Sequence, residues 1–505
     1  MRRAGRFFEK ERVLPLFLLL FGLVFLRYCY YGLAYFPQLD DYIQLHNHSA
    51  YYSATQVILD QGLLSSRPLA SVGDYFFWSV FWGRMIGAVA ILSALYAASA
   101  LLFRRVWSAY FGTGYVFLAV YALLPLGMEG TYWVSAANRI VPSLFFTALA
   151  MWLFQRWCRE GNTSMLGLYV IAQLLSYSFY EQGLVLSVTG VLLVGILEFK
   201  GQKKRSLFAL LTFVNAAVYF AFTGCFSTGS GQLGGRMKLL LPWQEGWGEV
   251  LESALTQIRQ VFLSGGWKTM TRGFRRGLEI ISSDLNPLWI LLLLALCVLL
   301  FFFARWHSTE GGRVPSALVV GFLFALAPTT IFFVLEQPSV ALRATVFSFC
   351  GLALIADTVF NLLFQNRAWR STLAGVLCGV FALVAGIATV SEVHDYRQTY
   401  LEDQRAGAAV IAALDGGRMV PATAKVAVLN LEGSYLSEQN FPHLEHVAGA
   451  TGSEWAFTGL LSCVSGNPYF PYTTPIPAGA DVDLSQFDLL LYYDRERGTA
   501  SVYTP

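Results

Sequence analysis

The chain has 505 residues, of which 55% are hydrophobic and 13% charged. Its mean hydropathy is +0.52 and its formal net charge is +3. A soluble chain is about 25% charged, so the composition excludes an ordinary soluble globular protein, and the near-neutral balance argues against nucleic acid as a partner.

A helix needs about 20 apolar residues to cross a bilayer. In chain order, the apolar runs predict eleven spans: Val13–Phe36, Met85–Phe103, Ala109–Leu126, Ile140–Phe154, Met165–Phe179, Gly183–Phe199, Leu207–Phe226, Leu288–Ala304, Ser316–Leu335, Val346–Phe364 and Leu373–Val390. The fourth and fifth are short for a full crossing. The first is longer than a signal-peptide core and has no small-x-small site after it, so it is expected to be retained. Lys and Arg in short loops set orientation. The N-terminal "MRRAGRFFEKER", Arg104, Arg105, Arg156, Arg159, the "KGQKKR" run, Arg305, Arg313, Arg367 and Arg370 all fall on one side, the expected cytoplasmic side. An odd count then sends the C-terminal tail outside. Six of the seven cysteines lie in or beside the apolar runs. Cys463 is alone in the tail, so no disulfide is expected there.

Three outer segments are longer than turns. Residues 37–84 hold "YYSATQVILDQGLL", a predicted surface helix capped by Ser53, and then the aromatic "SSRPLASVGDYFFW". Residues 227–287 open with the flexible "STGSGQLGG". Trp247, Leu251, Leu255, Ile258 and Phe262 then recur at the spacing of an interfacial amphipathic helix, followed by the cations Lys268, Arg272, Arg275 and Arg276. The tail, 391–505, reads as a small α/β domain. "TYLEDQRAGAAVIAALD" and "SEWAFTGLLSCVSG" are its helices, and "AKVAVLNL", "FDLLLYYD" and "TASVY" its strands. The fold expectation is an all-α polytopic membrane bundle over 1–390 with an α/β domain over 391–505.

The outer loops carry the candidate chemistry. Asp40 and Asp41 stand in "AYFPQLDDYIQLHNHSAYY", just past the first span. A carboxylate can take a proton from an attacking hydroxyl, and two together can hold a divalent cation. "GMEGTYWVSAANR" brings Glu129 and Arg139, "SYSFYEQG" brings Glu181, and "EQPSVALR" brings Glu336 and Arg343. Charges near a bilayer are costly, so such groups are usually functional or paired. Solvation of the loops is the plain alternative for any single acid. Arg139, Arg343, Arg67 and the Lys268–Arg276 cluster are candidates for holding a phosphate. The cluster serves equally well to grip anionic lipid head groups. Tyr75, Trp78, Tyr132 and Trp133 are candidates for stacking on sugar rings. His46 and His48 suit one strand face but have no third ligand at metal-site spacing.

The acid pair after the first span, the long first outer loop, the many spans and the outward C-terminal domain resemble the GT-C superfamily of polytopic glycosyltransferases. "SRPLASVGDYFFW" with "WGR" is similar to the bacterial GtrII-type glucosyltransferase branch, and "SYSFYEQGLVL" resembles the short Lys/Tyr-Glu motif of many members. The resemblance covers Arg12 to Val390. It implies transfer of a sugar from a polyprenyl-phosphate donor to a cell-envelope glycan, lipid or protein, at the outer face of a bacterial plasma membrane. It also implies that Asp40 or Asp41 is the general base or a metal ligand. Competing expectations are a polysaccharide polymerase or ligase and a transporter of lipid-linked sugars. A transporter places its charges near the midplane on broken helices, whereas here they crowd the outer ends.

Overall fold

The computed structural model describes residues 13–47, 63–226, 238–307, 314–364, 369–414, 420–433 and 448–503. The predicted surface helix with Ser53, the stretch 227–235, His48 and the N-terminal cations lie outside them, as do Arg313 and Arg367. The described chain is mostly helical with one small C-terminal sheet. Among the described residues, eight helices are long and apolar enough to cross a membrane, the architecture of an integral membrane protein.

Each predicted span has a helix, but the lengths differ for local reasons. Helix α1 (Val13–Leu26) buries Leu16, Leu19, Leu20 and Leu23 and exposes Val13, Leu14 and Leu18 on the other side. It ends ten residues before the predicted Phe36, because Arg27 leaves the helical path. Arg27 donates inward to Tyr28 Oη at 2.5 Å and Thr131 Oγ1 at 3.5 Å. Helix α2 (Ile86–Phe111) absorbs the start of the third predicted span and stops at Gly112, φ +65°, where a left-handed glycine closes the helix. Only Tyr115–Leu123 (α3) remains of that span. Its first turn is capped by Asp357, which accepts Gly114 N at 2.9 Å and Phe117 N at 3.2 Å.

The fourth predicted span becomes a helix of 27 residues, α4 (Val134–Glu160), because its polar start is helical too. Helices α5 (Thr163–Phe179) and α6 (Glu181–Glu198) meet at extended Tyr180. Helix α7 (Leu211–Cys225) follows. Between α7 and the next apolar helix, α8 (Trp247–Arg259) and α9 (Gly266–Ser283) form as amphipathic helices. Helix α8 buries Val250 and Ala254, packs Ile258 of the predicted stripe against the core and leaves Leu255 50% exposed. Its small Ala254 sits against the bundle while the leucines line an open groove of about 320 Å³ with Glu252 and Arg259. The remaining helices are α10 (Pro287–Trp306), α11 (Val314–Leu326), α12 (Phe349–Phe364) and α13 (Arg370–Ala413).

Helix α13 unites the last predicted span with the first predicted helix of the tail. Its 44 residues reach roughly 66 Å, twice the thickness of a bilayer core. Small residues set its packing, as membrane helix interfaces favour. Gly375, Gly379 and Gly386 face Phe301, Cys297 and Leu293 of α10. A Cβ on Gly277 of α9 would overlap the Ile387 carbonyl. Polar side chains join α5 to α7: Asn215 Nδ2 donates to Gln173 Oε1 at 2.7 Å, and Gln173 Nε2 to Thr212 Oγ1 at 2.7 Å.

The C-terminal part adds α14 (Glu454–Ser465) and a four-stranded sheet of β1 (Val426–Leu429), β2 (Thr473–Ile476), β3 (Leu489–Asp494) and β4 (Thr499–Val502). The order is β2-β1-β3-β4, with β1 parallel to β2 and β3, and β4 antiparallel to β3. Three strands match the sequence reading. The fourth, β2, contains Pro475, which an edge strand tolerates.

The loops segregate to two ends of the bundle. Helix α4 spans both, with Ser135 and Arg139 at one end and Arg159 at the other. Arg159 meets Glu198, Arg205 donates to the Cys158 carbonyl, and Arg370 meets Asn361 at the second end. The segments after α1, before α4, before α6 and before α12 gather at the first.

The tightest helix contact is Gly183 of α6, where a Cβ would overlap Ser143 Oγ of α4. Gly183→Val should lower stability by about 1–3 kcal/mol and drop the thermal midpoint of the purified protein in detergent. An unchanged midpoint would show that this contact yields freely.

Candidate functional site at the first end of the bundle

The acid pair sits in a strained turn. Leu39, just before it, has φ +37°, a left-handed conformation unusual for a residue with a branched side chain. Just after it, Tyr42–Asn47 forms a π-helix. Such outliers persist only where surrounding contacts hold them, and they cluster at functional sites.

The contacts belong to Asp41. Its Oδ1 accepts Ser135 N at 3.1 Å and Ser135 Oγ at 2.5 Å; its Oδ2 accepts Tyr35 Oη at 2.7 Å and Gln38 N at 3.0 Å. Helix α4 begins after Trp133, whose side chain makes no cap. The first loop supplies the missing acceptors, with Tyr35 Oη taking Val134 N at 2.9 Å and Asp41 taking Ser135 N. Asp41 is fully buried. Burial, partly offset by these hydrogen bonds, raises its pKa to about 6.

Asp40 differs. It is half-buried, and Gln44 Nε2 donates to its Oδ2 at 3.3 Å, longer than any bond on Asp41. Both oxygens of Asp41 already serve four donors, so the expected cation bridge between the two acids does not fit this arrangement. Among the described residues no group of three or more His, Cys, Asp or Glu side chains is placed to hold a metal. His46 packs against Trp82, ring centroids 5.0 Å apart.

Three arginines lie at this end of the bundle, and one of them, Arg139, touches the turn through Gln44. Arg139 Nη2 donates to Gln44 Oε1 at 2.7 Å and to Asp74 Oδ2 at 2.9 Å. Asp74 also accepts Asn138 Nδ2 at 2.5 Å. Burial raises the Asp74 pKa against the pull of Arg139. Among the described residues, Arg139 Nε and the buried Asn138 Oδ1 have no hydrogen-bond partner. Arg67 Nε reaches both oxygens of Glu181, at 2.9 and 3.0 Å, and its guanidinium lies 4.2 Å from the Tyr180 ring centroid. The guanidinium of Arg343 lies 5.4 Å from the Trp133 centroid. Arg67 is within electrostatic range of both Arg343 and Asp74, so these groups share one field.

Glycines bring the Arg343 loop in. A Cβ on Gly127, φ +72°, would meet Leu342 O at 2.8 Å, and one on Gly130 would meet Arg343 O at 2.9 Å. Glu336, from the same loop as Arg343, forms an exposed pair with Lys238 at 3.9 Å.

Glu129 lies on another side of the site. It is 1% exposed and faces Tyr396 of α13 at electrostatic range. Glu392 and Asp395 of α13 stand beside it in sequence and meet α9. Arg276 Nη1 bonds Asp395 Oδ1 at 2.5 Å, and Arg272 lies close to both acids. Two arginines of the Lys268–Arg276 cluster therefore face acids, and Arg275 pairs with Glu279 at 3.1 Å. The stacking candidates Trp78, Tyr132 and Trp133 are buried, packed rather than presented, and only Tyr75 keeps partial exposure.

Sequence reasoning missed Asp74, Glu392 and Asp395. Asp74 stands within the aromatic "SSRPLASVGDYFFW", where only its isolation among apolar neighbours marks it. Glu392 and Asp395 fall past the last apolar run and read as solvated tail.

No protein-family model matches the chain, and no curated protein matches its sequence.

The Asp41 geometry makes a stability prediction. Asp41→Asn sets an amide N–H₂ against the Gln38 N–H, which costs about 1–3 kcal/mol. Its thermal midpoint should fall, whereas that of Asp40→Asn should hold. Because the folded pKa is raised, the folded protein keeps a proton between the ordinary carboxylate range and about pH 6 that the unfolded chain has lost. This contribution is full at acid pH and disappears as pH rises through 6. The wild-type midpoint should therefore rise from pH 7.5 to pH 5, and Asp41→Asn should flatten that slope. An equal slope in both would place the titration elsewhere.

Proposed function

We propose that the protein is a GT-C-like membrane glycosyltransferase. It transfers a sugar from a polyprenyl-phosphate donor to a cell-envelope acceptor at the outer face. In this reading the bundle end holding the acid turn is extracytoplasmic, with the C-terminal domain on that side and the N-terminus in the cytoplasm. The observation that carries the reading is the strained acid turn, with Leu39 at φ +37° and a π-helix at Tyr42–Asn47, joined through Gln44 to Arg139, whose partner Asp74 lies within electrostatic range of Arg67, as Arg343 does.

The two acids divide the work. Asp41 fixes the turn and is committed to four donors. Asp40, half-buried beside it, is the general base. It takes the proton of an acceptor hydroxyl as that oxygen attacks the anomeric carbon. The bond from that carbon to the phosphate oxygen breaks, and the electron pair leaves with the lipid phosphate. A single displacement of this kind inverts the anomeric centre.

The growing negative charge on the phosphate is met by fixed guanidinium groups. Arg343 is the leading contact, with Arg67 and Arg139 behind it, each held by an acid that limits its motion. Glu181 holds Arg67, and Glu129 borders the site toward α13.

The test is hexose transfer by purified protein in proteoliposomes, using a panel of labelled polyprenyl-phosphate hexoses. Asp40→Asn should lower turnover by about 10²–10⁴-fold. Arg343→Lys keeps the charge but loses the two-pronged contact, and should lower turnover about tenfold or more. Wild-type turnover by Asp40→Asn would remove the proposed base.

A further inference from the structure

The segment that follows the acids is gripped from behind by the C-terminal part of the chain. Gly459 lies in the middle of α14, where glycine is unfavourable for a helix. A Cβ there would stand 2.8 Å from Ile43 Cδ1 and 3.1 Å from Tyr42 Cβ. The glycine lets α14 lie directly on the π-helix. Tyr42 is 1% exposed, and its Oη accepts Gln404 Nε2 of α13 at 3.2 Å. Gln38, at the other end of the turn, donates from Nε2 to the Tyr396 carbonyl of α13 at 2.9 Å. Phe36 packs on Tyr400, centroids 5.9 Å apart. The acid turn thus lies between the start of α4 on one side and α13 with α14 on the other.

These contacts reach Asp40 through short links. Ile43 N and Gln44 N both donate to the Asp40 carbonyl, at 3.1 and 2.7 Å. Gln44 also holds the Asp40 carboxylate and, through its Oε1, Arg139. A push on Ile43 must move Gln44, the residue that joins the proposed base to an arginine of the site.

The rear face is itself anchored. Asp403 of α13 accepts Ala450 N at 2.8 Å and Thr451 N at 3.4 Å, just ahead of α14. Gly407 brings Leu460 and Val464 of α14 onto α13. The domain is therefore held against the same helix that carries Gln404.

We propose that the C-terminal domain is a positioning element of the site: Gly459 and Gln404 lock Tyr42 and Ile43, and so fix where the Asp40 carboxylate points. The functional half of this statement rests on the proposed reading of Asp40. The mechanical half does not.

The test uses the full-length protein in nanodiscs and three variants: Gly459→Val, Ile43→Ala and the pair together. Hydrogen exchange is followed in peptides over 38–47 and, as a control, over 489–502 in the sheet. Gly459→Val should speed exchange over 38–47 about tenfold while the sheet peptide stays protected. Ile43→Ala should restore protection in the double variant by making room for the valine. Hexose transfer should fall through kcat more than KM in Gly459→Val and recover in the pair. Unchanged exchange over 38–47 would overturn the proposal. So would a loss shared with the sheet and not rescued by Ile43→Ala, which would mark general unfolding. If exchange behaves as expected while transfer is untouched, positioning stands and the catalytic reading of the acid turn fails.

Discussion

The carboxylate of Asp41 ties the loop after α1 to the N-terminus of α4. It takes two hydrogen bonds from Ser135 and two from within its own turn, through Tyr35 and Gln38. A helix start without a side-chain cap needs acceptors from elsewhere, and a strained turn needs contacts that over-determine it. One buried acid meets both needs. With α4 fixed, Asn138 and Arg139 on its next turn are aimed at Asp74, and Arg139 reaches Gln44 beside Asp40. The layout of the polar site follows from that one junction.

The rest of the site is brought in by close backbone approach. Gly127 and Gly130 admit the loop carrying Arg343. Gly183 lets α6 lie on α4 and so places Glu181, two residues earlier, against Arg67. Gly273 and Gly277 lay α9 along α13, where Arg276 meets Asp395. Membrane helices gain little from apolar burial against one another and depend on packing and interhelical hydrogen bonds. Glycine contacts are therefore the natural way for this chain to fix polar groups at a bundle end.

Much of this was legible in the sequence. Apolar runs located the helices long and apolar enough to cross a membrane, because lipid leaves the backbone no alternative to helix. Arg104, Arg159 and Arg370 mark one end of the bundle, and Asp40, Arg67, Arg139, Glu181 and Arg343 gather at the other. Helix ends were less legible. Arg27 and Gly112 decide where α1 and α2 stop, and composition averages over such residues. The division of labour between Asp40 and Asp41 depends on which carboxylate meets Ser135, a tertiary fact with no local signal. Helix α13 continues through Glu392 and Asp395, where hydropathy falls but helix propensity does not. That continuity brings the C-terminal part of the chain against the acid turn.

The site proposed for a lipid-linked phosphate is the acid turn with Arg139, Arg67 and Arg343. A structure of the protein in nanodiscs with bound polyprenyl phosphate tests this most directly. The account predicts phosphate oxygens within hydrogen-bond reach of Arg343, with Arg67 or Arg139 adjacent and the Asp40 carboxylate facing the phosphate. A phosphate held by Lys268, Arg272 or Arg275 on α9, with the acid turn distant from it, would contradict the account.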